Sequence, residues 1–347
     1  MNEELRQLKE SHLAVLSAMQ YDSGLFSASA KRVTTGYDKA WLRDNFYVGL
    51  ALYELKQTQP LKKLYDALTT ILLKHEGKID YAISVKPEFN FQYVHPRYHP
   101  ETFDEYWEAW GNKQNDAVGS LLFLLGLLKK AGYPILDSPD EERIAQKLIA
   151  YLHSIEYWTD SDSGVWEEWE EIHASSLGAC IAGLRQVKDI GFDVPEEMIE
   201  RGSDMLHYEL LPRESHDKFC DLALLTLIYP FNVVSESEAR EILKNVEYHL
   251  IKRKGIIRYK GDHYYNKNWD RASEEAEWTF GFSFLSLAYG QLGDKEKASY
   301  YFQKAQETVN EKGEIPELYY SNDSKHNENS PLAWSEAMFL IALSKCS

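Results

Sequence analysis

Apolar residues recur along the chain with a helical period, and they form two kinds of predicted helix. In the first kind, a single apolar stripe faces a charged back, as where Leu61, Leu64 and Leu68 recur at three- and four-residue spacing. In the second kind, apolar residues surround the helix, as in 117–128 and 280–290. A helix without a polar face must be buried on all sides.

The two kinds of helix alternate from one end of the chain to the other. The predicted helices with one apolar stripe cover residues 2–19, 59–75, 140–157, 195–211, 236–250 and 295–310. The predicted buried helices cover residues 41–57, 114–132, 172–188, 217–229, 276–291 and 331–345. Six pairs of this kind predict an all-α fold, an (α/α)6 barrel of six helical hairpins with the buried helices inside. Strand signals are sparse and fall at 78–84 and 255–265.

The connections between the predicted helices differ systematically in length. Links from a buried helix to the next striped helix are mostly short, whereas links from striped to buried helices are long. The long links are 20–40, 76–113, 158–171, 251–275 and 311–330. Long loops gathered at one rim are where function tends to lie. Because no Pro/Gly/Ser linker divides the chain, residues 1–347 are interpreted as a single domain.

Charge and composition narrow the range of functions. The formal net charge is −17 and no basic patch is present, which argues against nucleic acid, anionic membranes and strongly anionic substrates. The three cysteines form no metal-binding spacing or disulfide framework, and the first residues have no signal-peptide pattern. We therefore expect a cytoplasmic protein without a membrane span. The 23 tyrosines and 9 tryptophans suit a neutral, sugar-like ligand.

The most unusual stretch is 164–171, where Trp166, Glu167, Glu168 and Trp169 follow one another. Indole planes can cover the apolar faces of a sugar ring, and carboxylates can accept its hydroxyls. A carboxyl group against an indole is desolvated, which raises its pKa and makes it a better proton donor near neutral pH. The alternative is a solvated acidic loop whose tryptophans are core anchors.

Similar polar and aromatic stretches precede other predicted buried helices. Arg43 and Asp44 either cap a helix or hold adjacent sugar hydroxyls, and Asp116 has the same two interpretations. Glu317 is flanked by proline and aromatic residues rather than by solvating ones. It is therefore the best partner for Glu167, as an acid from the far side of the ring.

These motifs together resemble glycoside hydrolase family 15, the glucoamylase-like family, and especially the glucoamylase-like region of the phosphorylase kinase α and β subunits. The resemblance runs in order across nearly the whole chain. The matching motifs are Trp41-Leu42-Arg43-Asp44, Trp110-Gly111-Asn112-Lys113-Gln114-Asn115-Asp116, Trp166-Glu167-Glu168, Arg258-Tyr259-Lys260-Gly261-Asp262-His263-Tyr264-Tyr265, Pro316-Glu317-Leu318 and Pro331-Leu332-Ala333-Trp334.

The resemblance implies an inverting, exo-acting hydrolase that releases glucose from the non-reducing ends of α-glucosides or small α-glucan oligosaccharides. It implies Glu167 as general acid and Glu317 as general base, with their carboxyls roughly 6.5–9.5 Å apart. The implied substrate-binding residues are Trp41, Arg43, Asp44, Trp110, Gln114, Asp116, Trp166, Glu168 and Arg258. No metal and no organic cofactor are implied, and the expected partner is a neutral oligosaccharide.

The sequence departs from the family pattern at Leu318, where glutamine is usual, and the Pro316–Tyr320 stretch is closer to the kinase subunits. The absence of a β-sandwich and of a starch-binding module weakens the expectation of polymeric starch as substrate. A non-catalytic glucan-sensing module and a trehalase-type hydrolase therefore stay open as alternatives. An unsaturated-uronide hydrolase would need cations that this acidic chain does not supply. The oligomeric state is not predicted.

Overall fold

The computed structural model describes residues 3–108, 110–266 and 274–346, and these are mostly helical. In chain order the α-helices are α1 (Glu3–Ala18), α2 (Leu42–Glu54), α3 (Thr58–Lys74), α4 (Glu76–Ser84), α5 (Asn115–Lys130), α6 (Pro139–Ile155), α7 (Ala174–Lys188), α8 (Glu196–Asp204), α9 (Glu236–His249), α10 (Phe280–Gln291), α11 (Lys295–Gln306) and α12 (Ala333–Lys345). A π-helical turn, Met205–Leu210, continues α8, and 3₁₀ segments cover Asn90–Gln92 and Leu222–Leu227.

Contacts between neighbouring helices close an inner ring. The order around the ring is α2, α5, α7, the 3₁₀ segment Leu222–Leu227, α10 and α12, and α12 packs back onto α2. Each inner element carries an outer helix. These outer helices are α3 on α2, α6 on α5, α8 on α7, α9 on the 3₁₀ segment, α11 on α10 and α1 on α12. The predicted (α/α)6 barrel is confirmed.

The burial of the two rings follows the sequence pattern. In α5 and α10, every residue from Asn115 to Gly126 and from Phe280 to Tyr289 is buried, because these helices have other helices on every side. The outer helices α6 and α9 each begin at a capping box. In these, the Ser138 and Ser235 side chains accept the backbone N–H three residues later, from Glu141 and Glu238.

Three local predictions from the sequence are wrong. Residues 78–84 form helix α4 rather than a strand, because the buried Ile79 and Ala82 lie three residues apart on one helical face. Within 255–265, strand-like pairing is limited to Ile256, which bridges Ile251 and Trp278. The predicted buried helix 217–229 is a six-residue 3₁₀ segment, which starts where the Asp221 side chain accepts the Ala223 N–H.

Two short antiparallel pairs join the long loops at one end of the barrel. Strand β1 (Ala40–Trp41) pairs with β2 (Arg97–Tyr98), and β3 (Glu277–Trp278) pairs with β4 (Leu318–Tyr319). Both pairs lie at the starts of inner helices, so they fix the loops that carry the candidate site residues. Among the described residues, no helix has the length and apolar character needed to cross a membrane.

Candidate active site

A cavity of about 410 Å³ opens where the long loops meet the starts of the inner helices. Its size falls in the range of small-ligand sites. The structure brings nine of the candidate residues together on its wall. These are Trp41, Arg43, Asp44, Trp110, Trp166, Glu167, Glu168, Arg258 and Glu317. Five indoles line it in total, since Trp278 and Trp334 also face it.

Glu167 sits in a tight turn with backbone in the left-handed region, at φ 63°. Few non-glycine residues adopt this conformation, and such strain is concentrated at functional sites. The turn begins at Gly164, which is also left-handed at φ 62° and lies against the His173 ring. Gly111 allows the neighbouring loop to approach, because a Cβ there would lie 2.7 Å from the Glu167 carbonyl oxygen. The turn therefore presents the Glu167 side chain to the cavity.

The environment of Glu167 favours its protonated form. Burial raises the pKa of Glu167 to about 7, although the positive charges of Arg43 and Arg97 lower it. Arg43 Nη1 lies 3.5 Å from Glu167 Oε1, and 20% of the glutamate side chain remains exposed. A carboxylic acid with this pKa is half protonated near neutral pH, which is what proton donation requires.

Arg43 is held rigidly from behind the cavity wall. Its Nε donates to Asp116 Oδ2 at 2.6 Å, and its Nη2 donates to Asp116 Oδ1 at 3.1 Å and to Gln114 Oε1 at 2.6 Å. The resemblance implies that Gln114 and Asp116 bind substrate, but in the structure they do not line the cavity. The geometry gives them the task of orienting a forked guanidinium group, whose Nη1 remains on the Glu167 side.

Asp44 lies beside Arg43 and faces the cavity, with 7% of its surface exposed. Burial and the negative charge of Glu167 raise the pKa of Asp44 to about 7, against the attraction of Arg43. The first turn of α2 thus presents a donor and an acceptor on adjacent residues. Such a pair matches two neighbouring hydroxyl groups of a sugar ring.

Glu168 differs sharply from its neighbour Glu167. Arg258 Nη2 donates to Glu168 Oε1 at 2.8 Å, Tyr259 donates its hydroxyl at 2.7–2.8 Å, and Lys218 Nζ donates at 2.9 Å. Burial alone would raise the pKa of Glu168, but these partners lower it overall. Arg258 is itself fixed, because its Nε donates to Asp262 Oδ2 at 2.7 Å. Glu168 and Arg258 form a charged wall of the cavity.

The indoles on the cavity wall are packed against one another. Trp166 donates its Nε1–H to Asp221 Oδ1 at 2.8 Å, which fixes the ring plane. It stacks on Trp334 at a centroid distance of 6.3 Å and lies 5.3 Å from Trp278. Trp41 and Trp110 meet edge to face at 6.1 Å on the other side. The flat apolar surfaces suit the faces of a pyranose ring.

Glu317 is buried and receives donors at both carboxylate oxygens. Its Oε1 accepts from the Tyr37 hydroxyl at 2.9 Å, and its Oε2 accepts from Asn329 Nδ2 at 2.8 Å and from Asn327 Nδ2. Burial raises the pKa of Glu317, and these donors oppose that rise. The backbone is also fixed, since the Glu317 N–H donates to Asn329 and its carbonyl accepts from Thr279.

Some residues of the cavity were not among the predicted site residues. Tyr37 and Tyr264 share a hydrogen bond of 2.8 Å between their hydroxyls, and both reach Glu317. Trp278 and Trp334 complete the aromatic wall. Tyr264 and Trp334 belong to the matched motifs and Tyr37 lies four residues before Trp41, so proximity to those motifs is the signal for these three, whereas Trp278 lies outside them. Among the described residues, no group of three or more His, Cys, Asp or Glu side chains could hold a metal ion.

A double ring of helices around an indole-lined cavity, with the buried Glu317 and the partly exposed Glu167 on its wall, is the arrangement of the helical-barrel glycosidases. The chain belongs to glycosyl hydrolases family 15, whose sequence model matches residues 6–280. Residues 281–346, beyond this match, supply α10 after its first residue, the helices α11 and α12 and the Glu317 loop, which complete the two rings.

Relatives in sequence fall into two groups. The skeletal-muscle phosphorylase b kinase regulatory subunit α of Oryctolagus cuniculus is 28% identical over 356 residues, covering 84% of this chain and 28% of the subunit. The chain thus spans less than a third of the length of the kinase subunits it matches. An uncharacterized glycosyl hydrolase of Methanocaldococcus jannaschii is 27% identical over 268 residues, covering 66% of this chain and 41% of that protein.

Solved structures share the fold at low sequence identity. A glycosidase variant in complex with glucose has a TM-score of 0.85 at 18% identity, covering 100% of this chain and 99% of the other. The glucoamylase of Saccharomycopsis fibuligera has a TM-score of 0.71 at 16% identity, with coverage of 99% and 94%. These likenesses establish the architecture, and the residues of the cavity carry the functional argument.

Proposed function

We propose that this protein is an inverting glycoside hydrolase that releases glucose from the non-reducing end of α-glucosides or small α-glucan oligosaccharides. One observation carries the proposal. Two carboxylic acids from different loops, Glu167 and Glu317, line the same indole-walled cavity, Glu167 beside Arg43 and Glu317 with hydrogen-bond donors at both oxygens. The family membership and the glucose complex of a structural neighbour are consistent with this substrate class.

In the proposed mechanism, Glu167 is the general acid and donates its proton to the glycosidic oxygen. Its raised pKa of about 7 keeps a protonated fraction near neutral pH. Arg43 Nη1, 3.5 Å from Glu167 Oε1, stabilises the carboxylate that remains after proton transfer. Asp44 and Arg43 hold hydroxyls of the terminal sugar, and Trp41 and Trp110 cover its faces.

Glu317 is the general base in this mechanism. The Tyr37 hydroxyl and the amides of Asn327 and Asn329 orient its carboxylate. The carboxylate removes a proton from a water molecule, which attacks the anomeric carbon on the face opposite the leaving group. The proton passes to Glu317, the glycosidic bond breaks, and the proton from Glu167 neutralises the leaving oxygen.

The first test is glucose release from a panel of substrates: maltose, isomaltose, trehalose, maltooligosaccharides and dextran. We expect release from at least one α-glucoside and its loss in the Glu167→Gln variant. Release from trehalose alone would support the trehalase-type alternative. No release from any of them would contradict the proposal.

The second test follows the anomeric configuration of the first product. Direct attack by water inverts the anomeric centre, so an α-glucoside should give β-glucose within the first minutes, before mutarotation. Proton NMR of the anomeric region measures this. Initial α-glucose would indicate retention, with carboxyls only about 5–5.5 Å apart and Glu317 as nucleophile.

A second candidate function rests on the phosphorylase kinase relatives, which are regulatory subunits by name. In that case the cavity binds a glucan end without cleaving it, and the bound sugar reports to other parts of a larger assembly. Calorimetric binding of maltose without hydrolysis by the wild-type chain would favour this function. The contrasting environments of Glu167 and Glu168 favour hydrolysis.

A further inference from the structure

The turn that presents Glu167 is attached to the barrel through one buried side chain, that of Asp162. This residue is 1% exposed and accepts hydrogen bonds at both carboxylate oxygens. Its Oδ1 accepts from the Gly164 N–H at 3.2 Å, where the turn begins. Its Oδ2 accepts from the Asn115 N–H and from the Ser176 hydroxyl, both at 2.8 Å. One carboxylate therefore joins the turn to the starts of helices α5 and α7.

The link to α5 lies next to the residues that orient Arg43. Asn115 is the first residue of α5, between the two side chains that accept hydrogen bonds from Arg43. Arg43 Nη2 also donates to the Gly164 carbonyl at 3.3 Å. Asp162 thus holds both the turn that carries Glu167 and the segment that fixes Arg43. The distance of 3.5 Å between Arg43 Nη1 and Glu167 Oε1 depends on both attachments.

A buried histidine compensates the charge of this carboxylate. His173 is 3% exposed, its ring lies against Gly164, and its Nδ1 is 3.5 Å from Glu214 Oε1. Burial lowers the pKa of His173, but Glu214 and the charge of Asp162 raise it to about 9 overall. Burial raises the pKa of Asp162, and the charge of His173 opposes that rise. Because a buried charge is costly unless it is paired, His173 keeps the Asp162 carboxylate available as an acceptor.

Glu214 is itself fixed at the start of α7. Its Oε2 accepts from the Ser175 N–H at 3.2 Å, and its carbonyl accepts from the Ala174 N–H at 2.7 Å. Neither Glu214 nor His173 nor Asp162 lines the cavity. A ligand in the cavity is therefore not expected to touch these three side chains, and their contacts are those of a support for the turn.

We propose that Asp162 is a positioning residue for the reaction, because its carboxylate holds the Glu167 turn against Arg43 and so fixes the place of the general acid. This proposal rests on the role of Glu167 proposed above. A displacement of about 1 Å at a reacting group can lower turnover about 100-fold. Loss of the Asp162 carboxylate should therefore lower kcat, whereas KM, which reflects the sugar contacts of the cavity wall, should change little.

The test replaces Asp162 by asparagine in the full chain. An amide has a single acceptor oxygen, so it can accept from Gly164 or from Asn115 but cannot hold both at opposite atoms. For the α-glucoside that the wild type cleaves fastest, we expect kcat to fall by about 10–100-fold and KM to change less than about threefold. Hydrogen exchange followed by mass spectrometry examines the turn without catalysis, and residues 163–168 should exchange faster than in the wild type.

Asp160→Asn is the matched control. Asp160 is also largely buried, with 7% of its side chain exposed, and it accepts from Lys113 Nζ and from Asn115 Nδ2, both at 2.9 Å. These partners lie outside the Glu167 turn. We expect this control to lower the free energy of unfolding, as Asp162→Asn does, but to leave kcat within about threefold of wild type. The comparison separates a loss of stability from a loss of position.

A second variant covers the case in which Asp162→Asn does not fold. Ser176→Ala removes one donor to the carboxylate and leaves its two backbone donors in place. We expect it to lower kcat by about threefold or more and to speed exchange at 163–168, both less than Asp162→Asn does.

Several outcomes overturn the proposal. Unchanged kcat, an equal fall of kcat in Asp160→Asn, or unchanged exchange at 163–168 would each do so. A rise of KM with kcat unchanged would also overturn it, because that result assigns Asp162 to substrate binding. If the wild-type chain releases no glucose, the proposed function fails. Faster exchange at 163–168 in the asparagine variant would then still support the attachment of the turn by Asp162.

Discussion

Replacing Glu167 by glutamine tests the catalytic and the electrostatic role of this residue in one variant. Glutamine keeps the shape of the side chain but cannot donate a carboxylic proton. If Glu167 is the general acid, kcat on an unactivated α-glucoside should fall by about 10²–10⁴-fold. KM should change less, because in the proposed mechanism Arg43 and Asp44, rather than Glu167, hold the sugar hydroxyls.

The same substitution should alter stability in a pH-dependent way. Burial raises the pKa of Glu167 from 4.5 to about 7, which corresponds to about 3 kcal/mol against the ionised form. Because 20% of the side chain remains in solvent, we expect ionisation of Glu167 to destabilise the folded state by about 1–3 kcal/mol. The folded-state pKa is the higher one, so this group's stabilisation is complete below 4.5 and is lost as pH rises through about 7. Glutamine resembles the protonated form at every pH.

The Gln variant should therefore be more stable than the wild type near about pH 8 and nearly equal to it below about pH 5. Urea denaturation followed by tryptophan fluorescence measures the free energy of unfolding at each pH, and initial rates of glucose release measure turnover. Glu170→Gln is the matched control. It removes a negative charge three residues after Glu167, from a side chain that is 39% exposed. Turnover within tenfold of wild type, or lower stability than wild type at the higher pH, would refute the reasoning.

Three further substitutions test the surroundings of this acid. Glu317→Gln should lower kcat by about 10²–10⁴-fold without changing the melting temperature greatly, and near-normal initial rates would contradict its role as base. Arg43→Met should lower the free energy of unfolding by about 3–5 kcal/mol, because it leaves the buried Asp116 charge unpaired; a calorimetric change below 1 kcal/mol would argue against this. Gly164→Ala should destabilise the fold by at least about 1 kcal/mol, because a Cβ at φ 62° would lie 2.7 Å from the His173 ring, and urea denaturation that matches wild type would contradict it.

The barrel could be predicted from the sequence because its two rings demand different residue patterns. The run 117–128 has no polar face, so it had to be buried, and the stripe through Leu61, Leu64 and Leu68 had to face a larger core. The prediction of a strand at 78–84 is wrong because alternating apolar and polar residues there also fit a strand. Packing against α6 stabilises the helix instead. Short segments carry too little periodicity to decide this.

The composition of the cavity could be predicted in part, but not the direction of each side chain. Trp166 and Trp169 look equivalent in sequence, yet the left-handed turn at Glu167 directs one indole inward and leaves the other 85% exposed. Gln114 and Asp116 belong to a recognisable motif, yet they lie behind Arg43. A backbone turn of this kind is fixed by contacts between loops, such as Gly111 against Glu167, that are distant in sequence.

The adjacent acids Glu167 and Glu168 bear on the choice between hydrolysis and sensing. A site that only binds a sugar needs acceptors for hydroxyl groups, and an ionised carboxylate such as Glu168, with three charged or hydroxyl donors, supplies them. Burial raises the pKa of Asp44 to about 7, as it does that of Glu167, and Asp44 is assigned to hold sugar hydroxyls, so a raised pKa does not by itself distinguish catalysis from binding. Proton donation to a leaving group does require a carboxyl group that is partly protonated near neutral pH. Glu167 combines this pKa with a left-handed turn that presents its side chain to the cavity, and the proposed role as general acid uses both features.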